Sequence, residues 1–438
     1  MTSVEDLSDL FKSLLGSEGS QHSSIEGLAY TSLQSNIKEK LANDKSFLQQ
    51  LIKALKEAPA KSPTTYGALS ILVNLTIYMP TLSEEQKKMT QLKAYANASK
   101  SPAATDPLNN DVHVSERCKA VFEAGAIPVL VTHSQHGSTA SLSLVVSIIS
   151  SLSRNQKIRG QMAQQGAIKL LLHAYPLFPS SHASAQRTTA HALARILIST
   201  NPMHVFGGSN PLSITSAIRP LLSLLQEDTI SEQRDLLPTF ESLLALTNLA
   251  STDDSTRQAI LRLCFPTIED LLLSQNALVQ RASAELICNL TLSPQGVALF
   301  ADGSKQASQR LHVLLALSDA EDFETRRAAG GALAGLSEWD SAVDAILKRE
   351  GGVRLLLGLC KEDKEELKHR GVVCVLNVVS APGEIGERGV EAVTDEGGVD
   401  VLKDVLKSTR NQEILELAVE SLKRVLGGEQ AGGKLVKG

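Results

Sequence analysis

The stretch ETRRAAGGALAGLS, residues 324–337, decides the fold of this chain because the sequence contains several copies of it. TRRAAGGALAGLS at 325–337 aligns without gaps with VQRASAELICNLT at 279–291, which places Arg327 on Arg281. A third copy, HRGVVCVLNVVS at 369–380, brings an arginine to the same position. Self-similarity at a spacing of slightly more than forty residues is typical of armadillo and HEAT repeats, in which two or three helices stack on the next copy.

Earlier copies keep the same spacing. QRTTAHALARIL at 186–197 carries Arg187 in the arginine position, and TFESLLALTNLA at 239–250 fills the gap between it and residue 279. Weaker copies lie at 68–76 and 143–153. A second marker is a Gly-led motif that predicts the end of one helix, a tight turn and the start of an apolar helix. It reads EAGAIPVL at 123–130, QQGAIKLL at 164–171, REGGVRLL at 349–356 and DEGGVDVL at 395–402.

The composition agrees with a stack of helices. Hydrophobic residues make up 42% of the 438 residues and charged residues 21%, which is typical of a globular chain. Aromatic residues are only 3%, so the core must be built from aliphatic side chains, and these favour helix packing on helix. The sequence therefore predicts an all-α, armadillo/HEAT-like, right-handed superhelical solenoid of about eight repeats.

Several classes of function find no support. A net charge of -5 gives no general attraction to nucleic acid or to an anionic membrane, and no apolar run is long enough to span a bilayer. The five cysteines are scattered without a C-x-x-C pair, so reduced core thiols are expected. GGALAG at 330–335 lacks the Lys-Ser/Thr of a phosphate loop, and no nucleophile elbow is present. We expect no catalytic site, no cofactor and no metal, and a cytoplasmic location.

What remains is a surface along the last helix of each repeat. In the copy at 279–291, Arg281, Glu285 and Asn289 are spaced by four and share one helix face. The arginine position would become a ladder along the stack, either tying repeats together through salt bridges or contacting a partner. The position eight residues later forms a second ladder of mostly polar residues, suited to holding the backbone of an extended segment. It is occupied by Arg195, Asn248, Asn289, Gly335 and Val378.

The residues also resemble a known family. LSDAEDFETRRAAGGALA at 317–334 closely resembles the signature segment of the UCS-domain family, the armadillo-repeat chaperones directed at myosin motor domains. Five other segments are similar to that family and occur in the same order, so the resemblance covers nearly the whole chain. They are IEGLAYTSLQSNIKEKL at 25–41, GALSILVNLTIY at 67–78, SERCKAVFEAGAIPVLV at 115–131, VQRASAELICNLTLSP at 279–294 and HRGVVCVLNVVS at 369–380.

The resemblance implies a non-enzymatic chaperone that binds myosin heads, assists their folding and stability, and supports actin-based contractility, cytokinesis or endocytosis. Animal members recruit Hsp90 through an N-terminal tetratricopeptide module. No 34-residue repeat of that kind is found here, which resembles the fungal branch of the family or a chain trimmed to its armadillo part. The expected partners are a myosin motor domain as client and Hsp90 as a second partner, and the oligomeric state is left open.

The expected domain organisation and groove follow from the repeats and the resemblance. We expect armadillo-like repeats over 1–92, an exposed loop insertion over 93–114, a UCS-type armadillo domain over 115–426 and a disordered tail over 427–438. Trp339, the single tryptophan, is either a core residue or an aromatic anchor at the groove rim. The predicted partner-binding groove comprises Asn248, Arg281, Glu285, Asn289, Arg327, Gly331, Trp339, Arg370 and Asn377.

Two other armadillo classes are weighed against this interpretation. Nuclear-import receptors carry a tryptophan four residues before each groove asparagine, whereas Leu244 and Glu285 occupy those positions here. A general armadillo scaffold for cytoskeletal or Hsp70-associated partners is the alternative that the fold alone leaves open.

Overall fold

The structure is a computed structural model that describes residues 3–16, 19–79, 106–207, 212–226 and 235–435. Within these ranges all regular secondary structure is helical, as the sequence predicted. The chain divides into two compact units, Met1–Leu224 and Leu225–Gly438. This division falls inside the single armadillo domain that the sequence predicted over 115–426.

The first unit is built from α-helices with short connections, joined in places by single 3₁₀ turns. Its described helices are α1 Val4–Leu14, α2 Gln21–Thr31, α3 Ser35–Asn43, α4 Lys45–Glu57, α5 Pro63–Thr76, α6 Asp111–Glu123, α7 Ala126–Ser134, α8 Thr139–Leu152, α9 Arg159–Gln164, α10 Ala167–Ala174, α11 Ala183–Ile198 and α12 Pro202–Phe206. Helix α13, Thr215–Leu225, ends at the boundary between the units.

The second unit continues in the same style. Its described helices are α14 Leu237–Ala250, α15 Asp254–Leu271, α16 Ala277–Leu290, α17 Pro294–Ala301, α18 Lys305–Leu317, α19 Phe323–Ser337, α20 Asp340–Leu347, α21 Gly352–Cys360, α22 Glu365–Ser380, α23 Glu384–Asp395, α24 Gly398–Ser408 and α25 Gln412–Leu435.

Each predicted repeat copy falls on the last helix of a repeat, which we call a third helix. In the first unit the third helices are α2, α5, α8 and α11, and each packs on the next. In the second unit they are α14, α16, α19, α22 and α25, again packed one on the next. The other helices of each repeat lie between third helices in sequence. The predicted spacing therefore identified the element that stacks from repeat to repeat.

The Gly-led markers form the turns that the sequence predicted. Gly125, Gly166, Gly351 and Gly397 have φ of 86°, 95°, 72° and 75°, and each directly precedes a helix. A left-handed backbone at this point closes one helix and redirects the chain into the next, and glycine adopts it without the steric cost of a Cβ.

Two predicted segment boundaries are wrong where the structure describes them. Residues 93–105 of the predicted loop lie outside the described ranges, but α6 already begins at Asp111, because the side chain of Asn110 caps it by accepting a hydrogen bond from the His113 amide at 3.0 Å. The predicted disordered tail is helical as far as Leu435, where α25 ends. Residues 436–438 lie outside the described ranges.

The cysteines behave as core thiols. All five are unpaired, four are buried, and Cys288 is half-buried. Burial raises the pKa of the Cys264 thiol to about 12, so it stays protonated and unreactive at neutral pH. Among the residues with a described position, no group of His, Cys, Asp or Glu could hold a metal, and no helix has the length and apolarity needed to cross a bilayer.

The small residues of α19 differ in what they accommodate. A Cβ on Gly331 would lie 3.0 Å from the Sγ of Cys288, and one on Gly330 would lie 3.4 Å from Leu359. A Cβ on Gly335 would meet nothing nearer than 3.9 Å. Close packing thus requires a small residue at Gly331 but not at Gly335.

We expect Gly335→Ala to stabilise the second unit by about 0.5–1 kcal/mol, because alanine loses less backbone entropy in a helix and no contact opposes it. Denaturant unfolding followed by the fluorescence of Trp339 and by circular dichroism measures this change. Destabilisation by Gly335→Ala would show that α19 and α16 pack more closely at this point than the structure indicates.

Candidate partner-binding surface

The half-buried residues of α14, α16, α19 and α22 form one continuous face of the second unit, which we call the third-helix surface. Its helices carry their apolar residues on the opposite faces, as in α16, where Ala282, Leu286 and Leu290 are buried. Asn276 caps α16, and Asp322 caps α19 by accepting a hydrogen bond from the Thr325 amide at 2.8 Å. These caps fix where each third helix starts and hence which residues stand side by side on the surface.

Arg327 joins three consecutive third helices through salt bridges. Its guanidinium lies 3.2 Å from Glu285 on α16, 2.6 Å from Glu324 on its own helix and 3.4 Å from Glu366 on α22. Partial burial disfavours the charge, but the bonds to Glu324 and Glu366 outweigh it and raise the pKa of Arg327. Glu285 and Arg327, both predicted as groove residues, are therefore bonded to each other.

Arg370 extends the same network. Its Nη2 lies 2.9 Å from Glu366, and its Nη1 donates to the backbone oxygen of Arg327. The guanidinium passes over Gly331, because a Cβ there would lie 3.1 Å from Nη1. The alanine- and glycine-rich sequence of α19 thus leaves room for the arginine of the next repeat. For Arg327 and Arg370 the structure supports the salt-bridge interpretation of the arginine ladder.

The asparagine side chains also form hydrogen bonds to the preceding repeat, but part of their hydrogen-bonding capacity is unused. The side-chain amide of Asn289 donates to the Thr247 oxygen at 2.9 Å, and that of Asn377 donates to the Ser337 hydroxyl at 3.0 Å. In the first unit Asn74 donates in the same way to Ala29 and Ser32, both at 3.0 Å.

The side-chain oxygens of Asn289 and Asn377 accept no hydrogen bond from the described part of the chain. One N–H and one acceptor on each amide are therefore available to a ligand. Asn248 is half-buried at the corresponding position of α14.

The second ladder was predicted in part at wrong positions. Val378 is fully buried, and the amide of α22 lies one residue earlier, at Asn377. Arg195 is buried as well, with 6% of its surface exposed. The strict repeat spacing fails here because the amide follows the arginine by seven residues in α22 but by eight in α16.

Arg281 differs from the two arginines that follow it in the ladder. It is half-buried, and among the described residues no carboxylate oxygen lies within ion-pair distance of its guanidinium. Its charge does act on Asp322, the cap of α19. Burial would raise the pKa of that carboxyl, but hydrogen bonds from Thr325 and the positive charge of Arg281 lower it. A cation without a bonded carboxylate therefore lies beside the first turn of α19.

Exposed apolar side chains mark the other end of these helices. Trp339 is 38% exposed, so it is not a core residue. Leu292, which the sequence analysis missed, is 55% exposed, and its Cδ2 lies 3.9 Å from where a Cβ on Gly335 would be. Each of these side chains lies two residues beyond the end of a third helix, at Leu290 for α16 and Ser337 for α19. That shared position is the sequence signal that could have identified Leu292.

The chemistry of this surface is that of binding. The amide of Asn289, which keeps one N–H and one acceptor unused, lies between the exposed Leu292 at one end of α16 and, at the other, the guanidinium of Arg281, which has no bonded carboxylate in the described part of the chain. An extended segment crossing α16 and α19 would meet all three kinds of contact.

Comparison with curated proteins finds two informative relatives. The chain is 32% identical over 360 residues to ring assembly protein 3 of Schizosaccharomyces pombe, an alignment that covers 81% of this chain and 47% of that protein. It is 29% identical over 377 residues to protein unc-45 homolog B of Mus musculus, covering 84% and 38%. The chain thus spans about half the length of the first relative and less of the second. No family model matches the chain.

Solved structures show the same fold. UNC-45 from Drosophila melanogaster matches with a TM-score of 0.79 at 26% identity, covering 98% of this chain and 52% of the other. An UNC-45 chaperone described as critical for binding and folding muscle myosin matches with a TM-score of 0.75 at 23% identity, covering 98% and 44%. Because the second of these structures is only 23% identical to this chain, its similarity shows the fold alone.

Proposed function

This chain belongs to the UCS-domain family, and we propose that it is a chaperone that holds a myosin motor domain on the third-helix surface of its second unit. The observation that carries the proposal is a difference among the residues of that surface: some are bonded to neighbouring repeats, and others keep unused groups. Arg327 and Arg370 are bonded to carboxylates and backbone of neighbouring repeats, whereas Arg281, the amides of Asn289 and Asn377 and the exposed ring of Trp339 keep unused binding capacity. A surface of this kind binds polypeptide without changing it covalently.

The biological setting follows from the relatives. Ring assembly protein 3 is named for assembling a ring, and an UNC-45 chaperone is described as binding and folding muscle myosin. We propose that this chain is cytoplasmic, assists the folding and stability of a myosin without catalysis, and so supports actin-based functions such as cytokinesis. We include Hsp90 as a second partner, because the family resemblance implies it.

The groove residues divide into two groups in this proposal. Those that contact the client directly are Asn248, Arg281, Asn289, Trp339 and Asn377. Those that position the surface by tying its helices together are Glu285, Arg327, Gly331 and Arg370. Loss of a residue in the second group would disturb binding by moving helices, so those residues are poor probes of contact.

We expect Arg281→Glu to weaken binding of a purified myosin motor domain about tenfold, since a charge-assisted hydrogen bond at a partly buried site contributes about 1.5–3 kcal/mol. Analytical ultracentrifugation or calorimetry with the full chain measures the affinity, with a heat-denatured unrelated protein as the comparison client. Arg281 has no bonded carboxylate to lose in the described part of the chain, but its charge acts on the Asp322 cap of α19, so circular dichroism checks that the helices persist in the variant.

Arg262→Glu is the matched control. Arg262 is an exposed residue of α15, outside the third helices, and its reversal changes the net charge by the same amount. Equal affinity of the Arg281→Glu and Arg262→Glu chains would remove Arg281 from the contact. If the wild-type chain did not prefer the motor domain to the denatured protein, the myosin proposal would be wrong and a general armadillo scaffold would remain.

A further inference from the structure

We propose that the client segment bound on α16 and α19 is extended and alternates acidic with apolar side chains, the acidic ones reaching Arg281 and the apolar ones reaching Leu292 and Trp339. This inference rests on the proposed function, since it specifies the chemistry of the client that the same surface takes.

The acidic preference follows from which of the local charged groups are already bonded to one another. Glu285, one turn beyond Arg281, is neutralised by its bond to Arg327 at 3.2 Å. The carboxyl of Asp322 is engaged by the amide and the hydroxyl of Thr325, each at 2.8 Å. Neither acid pairs with Arg281, so the guanidinium is left with unused donors in a half-buried setting. A carboxylate from a ligand would pair with these donors, whereas a lysine or arginine would be repelled by the guanidinium and could form no hydrogen bond with it.

The apolar preference follows from the opposite end of the same helices. Leu292 and Trp339 remain 55% and 38% exposed, although most aliphatic side chains of the second unit are fully buried. Gly335 on α19 adjoins the leucine, since a Cβ there would lie 3.9 Å from the Cδ2 of Leu292. Apolar side chains of a ligand would cover the leucine and the indole ring and remove both from water.

The alternation follows from the geometry of an extended chain. Arg281 and Leu292 are eleven residues apart on and just beyond α16, which is about 16 Å along the helix axis. The amide of Asn289 lies between them and can hold a backbone that crosses the helix. Successive side chains of an extended segment point to opposite sides. One set would therefore face the guanidinium and the other set the apolar end.

Trp339 makes a direct test possible, because it is the single tryptophan of the chain and lies in the proposed contact. The probes are three tryptophan-free peptides of eleven residues with a proline at each end to prevent strand pairing: one alternates Leu and Glu, one Leu and Lys, and one Ser and Glu. With the full chain, we expect the Leu–Glu peptide to shift the Trp339 emission to shorter wavelength and to bind at least tenfold more tightly than either of the others. Arg281→Glu should reverse the order of the Leu–Glu and Leu–Lys peptides, and Arg262→Glu should leave it unchanged.

Equal binding of the Leu–Glu and Leu–Lys peptides would overturn the inference, as would an Arg281→Glu chain that still prefers the acidic peptide. Binding of the motor domain, measured alongside, separates this inference from the proposed function. If the motor domain binds but no peptide preference exists, the inference fails and the proposed function stands. If the motor domain does not bind, the proposed function fails, and only a clear Leu–Glu preference would then support the surface chemistry on its own.

Discussion

Arg117→Leu is expected to destabilise the first unit by about 3–5 kcal/mol, because it removes one side of a buried charged cluster. Arg117 on α6 is 1% exposed. Its Nε donates to the Leu75 oxygen at 2.9 Å, and its Nη1 donates to the Leu108 oxygen at 2.7 Å and pairs with Glu39. Leucine would fill part of the volume but would leave the buried Leu75 carbonyl, the partly buried Leu108 carbonyl and the Glu39 carboxylate without this donor. Because the Nη2 of Arg117 has no partner among the described residues, we expect a value near the lower end of this range.

Arg388→Leu in the second unit is the matched control. Arg388 pairs with Asp344 at 2.6 Å, a shorter distance than many surface pairs have, but the two side chains are 43% and 25% exposed. Such pairs contribute at most about 1 kcal/mol, so this variant should unfold almost as the wild type does. Hydrogen exchange of the α3, α5 and α6 amides measures the effect on the first unit alone, which avoids treating two units as a single transition.

Similar protection from exchange in the Arg117→Leu chain and the wild type would contradict the prediction, since it would mean that water or a shifted backbone satisfies the exposed carbonyls. The double variant Arg117→Leu with Glu39→Leu is expected to recover part of the lost stability, because removing both charges avoids a buried carboxylate without a partner.

The repeat spacing predicted the third helices and their turns because those features are local. Two features recur along the chain: a run of small and apolar residues and a glycine with positive φ. Each of them forms its own helix or turn. The hydrogen bonds and salt bridges between repeats are not local in this sense. Arg327 meets Glu285, Asn289 meets Thr247 and Asn377 meets Ser337, so each bond joins residues about one repeat apart, at separations of 42, 42 and 40 residues.

A search for complementary polar residues at that separation would have found these pairs, whereas alignment of identical positions could not. Neither the search at that separation nor the alignment could have predicted the partners of Arg117. Its partner Glu39 is 78 residues away, and its other acceptors are backbone carbonyls that any sequence offers. The client chemistry was also hidden, because the sequence shows four arginines in one ladder and only the structure shows which of them are already paired.

Gly371→Val is expected to destabilise the second unit by about 3 kcal/mol, because α21 and α22 touch at this point through their backbones. A Cβ on Gly371 would lie 2.6 Å from the Cys360 nitrogen and 2.8 Å from the Leu359 carbonyl carbon. Overpacking that flexible side chains can absorb costs about 1–3 kcal/mol, but backbone atoms cannot turn away, so the helices must separate. In the register that places Asn377 on Asn289, the corresponding positions of α16 and α19 hold Ser283 and Ala329, which both carry a Cβ, so the requirement for glycine is specific to this helix pair.

Gly358→Val is the matched control, since Gly358 lies on α21 with nothing within 4 Å of its would-be Cβ. The same substitution there should change stability by less than about 1 kcal/mol. Unfolding in denaturant, followed by Trp339 fluorescence, compares the two chains, and equal midpoints would show that α21 and α22 can shift at little cost. Because Gly371 adjoins Arg370, separation of these helices should also pull that guanidinium from the Arg327 oxygen. The client affinity of Gly371→Val should then fall even under conditions where the chain remains folded.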